Sequence, residues 1–112
     1  MTNKEPTQHQ KSLAIAKAMY GEENVHDCCD FDGNCSIEVD SLPFEKFDPY
    51  INAWHSQAVQ EFFNINVECH GNVKEWECSA DLDNAPSEHI YNKDLKTAIA
   101  DCAYLVVLEN EK

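Results

Sequence analysis

The most apolar run in the chain is residues 92–109, NKDLKTAIADCAYLVVLE. Leu95, Ala98, Ile99, Cys102 and Val106 recur in it at helical spacing. Tyr104, Leu105, Val107 and Leu108 occupy the other sides, which predicts a helix covered on more than one face. Asn92 suits the N-cap, and Asp94 suits the positive end of the helix dipole. An earlier helix is predicted over QHQKSLAIAKAMY. Thr7 and Gln10 can close a capping box there, Leu13, Ala16, Met19 and Tyr20 share one side, and Gly21 supplies the stop. Asp48 and Pro49 predict the start of a middle helix that runs to about Phe63. Its buried stripe is expected to be Ile51, Trp54, Ala58 and Phe62, with Gln57, Gln60 and Glu61 in solvent.

Between the helices the apolar period drops to two. Residues 26–40, HDCCDFDGNCSIEVD, predict a β-hairpin. A three-residue turn at Asp32, Gly33 and Asn34 sets Phe31 against Cys35 and Cys29 against Ile37, with Val39 extending the apolar face. Cys28, Ser36 and Glu38 then point the other way. In the connection that follows, Phe44 and Phe47 are expected to tuck inward. Residues 65–80 predict a second hairpin around a type II′ turn at Gly71 and Asn72, with Val67 opposite Trp76 and Ile65 opposite Cys78. Asn66, Glu68, Glu75, Glu77 and Ser79 alternate onto its polar side. Residues 81–91 read as a turn-rich loop.

These elements predict an α+β fold in the order α-β-β-α-β-β-α, with an antiparallel sheet of two hairpins packed against three helices. Residues 1–6 read as a disordered tail and 7–112 as one domain. Trp54, Trp76, Ile99 and Cys102 are expected in the core.

Three segments, LAIAKAMYG, FDPYINAWHSQAVQEFF and NKDLKTAIADCAYLVVL, resemble in order and spacing the phage ABA sandwich domain family of small phage and prophage proteins. Pro49, Tyr50, Ile51, Ala53 and Trp54 match that family's middle-helix start. Trp76 matches its strand tryptophan, and Leu95, Ala98, Ile99, Cys102, Ala103 and Leu105 match its last helix. The chain departs from the pattern in lacking a Ser-Thr-Asp cluster in the middle helix and in its cysteine-rich hairpin. The resemblance implies phage origin and a helix–sheet sandwich; it implies no activity and carries over no catalytic residue.

Charge narrows the function classes. The chain has 21 acidic and 8 basic residues, a formal charge of −13, and every basic residue is lysine. That balance disfavours direct binding to nucleic acid or to an anionic membrane, and favours a basic protein partner. The first ten residues are polar and no run is long enough to span a bilayer, so a cytoplasmic protein with reduced cysteines is expected. The adjacency of Cys28 and Cys29 also argues against a disulfide framework.

Two hairpins gather metal-ligand types: His26, Cys28, Cys29 and Cys35 in the first, Cys69, His70 and Cys78 in the second. Zinc-knuckle spacing is absent, and Cys29, Cys35 and Cys78 fall in phase with apolar neighbours, so core cysteines are expected and neither metal nor cofactor is assigned. Asp30, Asp32 and Asn34 alternate as in a calcium loop, but the loop glycine is misplaced and the closing glutamate is missing. No local motif surrounds any Cys–His pair, and acidic surroundings raise a thiol's pKa, so the chain reads as non-catalytic.

The remaining lead is the acidic surface. Glu22, Glu23, Asp27, Asp30, Asp32, Glu38 and Asp40, joined by Glu68, Glu75 and Glu77, are the candidate partner-binding residues. Carboxylates spaced along a rigid surface can imitate nucleic-acid phosphates and block the basic groove of a host nucleic-acid enzyme or defence protein. The alternatives are a zinc-stabilised structural module and a cysteine-dependent enzyme. Nothing in the residues sets the oligomeric state.

Overall fold

The computed structural model describes residues 6–29, 31–32, 34–42, 45–80 and 89–110. Among them the chain forms helix α1 (Gln8–Tyr20), a short 3-10 turn (Glu22–Asn24), strands β1 (Val25–Cys29) and β2 (Cys35–Val39) and helix α2 (Ala53–Phe63). Strands β3 (Ile65–His70), β4 (Glu75–Ala80) and β5 (His89–Asn92) follow, and then helix α3 (Leu95–Asn110). The class is α+β, with one strand more than the hydrophobic pattern predicts: β5 lies where a loop was expected. Residues 1–5 of the expected 1–6 tail, the burial of Phe44 and residues 81–88 of that loop fall outside the described residues.

Helix α1 has the predicted limits because short-range chemistry sets both ends. Thr7 Oγ1 accepts the Gln10 N–H at 3.1 Å, and Gln10 Oε1 accepts the Thr7 N–H at 2.9 Å. Gly21 ends the helix at φ 93°, a conformation that suits glycine, and its N–H donates to the Lys17 carbonyl at 3.0 Å. The buried face centres on Ser12, Ile15 and Ala16; Leu13, Met19 and Tyr20 are only partly covered.

Both hairpins form on the predicted faces but two residues out of the predicted register. Cys29 pairs with Cys35 and Asp27 with Ile37, leaving five residues between the strands. Val67 pairs with Cys78 and Ile65 with Ala80, around a four-residue loop, Gly71–Lys74. Lys74, at φ 55°, and not Gly71, takes the left-handed conformation, so the expected type II′ turn does not form. A slip of two keeps every side chain on its face, because the strand period is two.

The β1–β2 sheet packs on α1, and the β3–β4–β5 sheet packs on α3. Helices α1 and α2 both pack against α3. Ile15, Ile37, Phe47, Val59, Cys78, Ile99 and Cys102 form the centre of one core. Helix α3 starts two residues later than expected. Asn92 ends β5, and Asp94 Oδ2 accepts the Thr97 N–H at 3.3 Å in the capping role expected of Asn92.

Helix α2 departs most from expectation. Asp48 and Pro49 open a separate turn, in which Asp48 Oδ1 accepts the Tyr50 N–H at 3.1 Å. Asn52 is the true N-cap, its side chain accepting the N–H groups of Trp54 at 2.9 Å and His55 at 3.3 Å. The helix then buries His55, Ser56 and Val59. The expected buried stripe is turned outward: Ile51, Trp54 and Phe62 are 74 %, 77 % and 54 % exposed. The reason lies in the preceding turn. His55 stacks on buried Phe47 with ring centroids 5.2 Å apart, and its Nδ1 accepts the Asp48 N–H at 2.9 Å. That contact holds the His55 face inward. Trp76, the other tryptophan expected in the core, is half-buried against it.

Candidate functional site

The candidate partner-binding acids divide between the two sheets. Glu22 and Glu23 lie exposed in the 3-10 turn, and Asp32 is exposed at the tip of the first hairpin; Asp30 lies outside the described residues. Glu38 is on the outer face of β1–β2, where it accepts from Lys46 Nζ at 2.6 Å and from the Cys28 thiol at 3.2 Å. Both hydrogen bonds hold its carboxyl below the usual carboxylate range. Asp40 meets His26 Nε2 at 2.9 Å. Asp27 is on the helix-facing side of β1 and meets His9 Nε2 at 2.7 Å.

Glu68, Glu75 and Glu77 share the polar face of β3–β4–β5, with Glu68 directly opposite Glu77. Glu77 is bridged by two histidines: His70 Nε2 lies 2.6 Å from Oε1, and His89 Nδ1 contacts Oε2. These bonds lower the Glu77 pKa. His89 belongs to the unpredicted strand, and for that reason the bridge escaped a sequence reading. The alternation of Glu68, His70, Glu75 and Glu77 was the visible half of it.

The cysteines do not take their expected places. Cys29 and Cys35 form a disulfide across β1–β2, and both are exposed, so they are neither reduced nor core residues. The register explains it, since the two residues face each other across the ladder. Cys78 and Cys102 are buried, as expected, and burial pushes their thiols up to about 11 and about 12. The hydrogen bond to Glu38 pushes the Cys28 thiol up as well. Thiols displaced in this direction are held protonated and are poorer nucleophiles at neutral pH. An open groove of about 600 Å³ lies between α2 and α3, and among the described residues that line it there is no cysteine or histidine.

The ligand sets suggested by sequence proximity are split by strand alternation. His26 and Cys28 face away from Cys29 and Cys35, and His70 faces away from Cys69 and Cys78. Two other sets are brought together, His9, Asp27, Cys29 and Cys35, and Glu68, His70 and Glu77. Within each set the ligand atoms lie within 4.8 Å of one another.

The outward stripe of α2 is the other surface feature. Trp54, Ala58 and Phe62 follow at intervals of four along one side, with Ile51 just before the helix. Glu61 and Gln57 are exposed beside them, and Glu45 approaches α2 through His55 Nε2 at 3.5 Å. Among the described residues no helix is long and apolar enough to cross a membrane. No family model matches the chain, and no curated protein or solved structure matches it.

Proposed function

We propose that the protein is a small, non-catalytic accessory protein of phage type that works by docking on a host protein with a basic surface. The observation that carries this reading is the stripe of exposed Ile51, Trp54 and Phe62, with half-buried Ala58 among them, on a chain of formal charge −13. Contiguous exposed apolar side chains mark interaction surfaces, and tryptophan is a common energetic anchor at their centres. Glu61 beside the stripe, Glu45 near α2 and the net negative charge of the chain favour a basic partner and speed encounter at low salt. The like charge of a second copy opposes self-association through this face. A host nucleic-acid enzyme or defence protein suits the acidic surface best, because its groove is already built for phosphates.

The site of action on this reading is the host cytoplasm. The test is capture from host lysate on immobilised parent protein and on a Trp54→Ala/Phe62→Ala variant shown to be folded. A basic protein should be retained by the parent, released as salt is raised, and lost on the variant. Equal retention on both, or a parent that sediments as a self-associated species, would refute the reading.

A further inference from the structure

The end of the first hairpin brings four residues of zinc-ligand type to one point. Cys29 and Cys35 are cross-strand partners at the end of β1–β2. Asp27 lies two residues before Cys29 on the same face. His9, in the first turn of α1, reaches that face and sets Nε2 2.7 Å from Asp27 Oδ1. Cys29 Sγ lies 3.8 Å from the same oxygen. The four ligand atoms all fall within 4.8 Å of one another.

These spacings are close to those of a tetrahedral zinc centre. Bonds of about 2.3 Å to sulfur and about 2.0–2.1 Å to nitrogen and oxygen put donor atoms roughly 3.3–3.8 Å apart. The sulfur–oxygen separation already meets that value, and the imidazole–carboxylate pair has to open by about 0.6 Å. The sulfurs have to separate to about 3.8 Å, which they can do only once their bond is broken.

We propose that the Cys29–Cys35 disulfide and a four-ligand zinc site are alternative states of the same residues, with His9 and Asp27 completing the zinc state. In the switching step a dithiol reductant gives two electrons and two protons to the bridge. The S–S bond breaks, two thiols form, and the reductant becomes a disulfide. Zinc then binds both sulfurs as thiolates, and the two thiol protons leave to solvent. In the reverse step a disulfide oxidant takes two electrons from the two thiolates and two protons from solvent and becomes a dithiol, the Cys29–Cys35 bond re-forms, and the ion is released. Two thiolates and an imidazole favour zinc over calcium or magnesium.

The test uses the full chain, stripped with chelator and prepared either bridged or reduced under nitrogen. Cobalt(II) serves as the spectroscopic probe and zinc as its competitor. The reduced chain should take up one equivalent of cobalt with thiolate-to-metal charge-transfer bands and the intense visible bands of tetrahedral cobalt, and zinc should displace it. The bridged chain should show neither. Cys29→Ser and Cys35→Ser should abolish the charge-transfer bands of the site, and His9→Ala or Asp27→Asn should weaken binding at least roughly tenfold. Cys28→Ser, Cys69→Ser and His70→Ala should bind as the parent does. Equal uptake by the bridged chain, unchanged spectra in Cys29→Ser and Cys35→Ser, or no uptake by the reduced chain at micromolar cobalt would each overturn the proposal. The bridged and reduced forms share one sequence, so the comparison holds even where a substitution harms folding.

Discussion

The orientation of α2 can be tested by two substitutions on its opposite sides. Val59 is fully buried, and truncation to alanine removes two carbons from the core. At about 0.8 kcal/mol per buried methylene the transfer cost is about 1.6 kcal/mol. Incomplete collapse of the void adds up to about 1 kcal/mol, for a total of about 2–3 kcal/mol. Trp54 is 77 % exposed, so the fold covers under a quarter of its surface. For a side chain of roughly 250 Å² that is about 60 Å², or about 1.5 kcal/mol at ~25 cal/mol per Å². Alanine's higher helix propensity returns about 0.5 kcal/mol, leaving Trp54→Ala near 1 kcal/mol. At roughly 4 °C per kcal/mol for a domain of this size, Val59→Ala should melt about 10 °C below the parent and Trp54→Ala about 4 °C below it. Calorimetry and urea titration followed by circular dichroism measure both. A buried Trp54 would cost about 3–5 kcal/mol and reverse the order. If Trp54→Ala proves the more damaging change, the outward stripe is wrong, and the binding proposal built on it falls too.

Three further outcomes are expected. Tyr50 is buried, and its hydroxyl donates to Asp101 Oδ1 at 2.6 Å, so Tyr50→Phe should cost about 1.5–3 kcal/mol in urea titration. Reducing the Cys29–Cys35 bridge, which links residues six apart, should cost about 2 kcal/mol by chain entropy in metal-free buffer, read as a shift in urea midpoint with and without reductant. Cys78 and Cys102 titrate near 11 and 12 in the fold against 9.0 for a free thiol. Above pH 9.0 the unfolded chain releases protons that the folded chain keeps, so their contribution is full below that pH and falls as pH rises toward the folded values. Urea midpoints taken on the alkaline side should decline with pH, and Cys102→Ala should flatten the decline.

Features set by neighbouring residues were legible in the sequence by itself. Thr7, Gln10 and Gly21 define α1 at both ends, because a capping box and a glycine stop act within one helical turn. Period-two alternation assigned the faces of both hairpins, and a register error of two residues left those faces intact. The burial of Ile99 and Cys102 followed from a run apolar on nearly every side. The face that α2 buries was a different kind of question. Ile51, Trp54, Ala58 and Phe62 make one helical stripe and His55, Val59 and Phe63 make another, and hydrophobicity prefers the first. The fold uses the second, because stacking on Phe47 and a backbone hydrogen bond from Asp48 hold His55 inward. Strand β5 likewise exists through its pairing with β4, and His89 reaches Glu77 only by that pairing. The meeting of His9 with Asp27, Cys29 and Cys35 depends on α1 packing across the first hairpin. Contacts between residues distant in sequence are decided by which surfaces pack together, and periodicity along one segment carries no information about its partner.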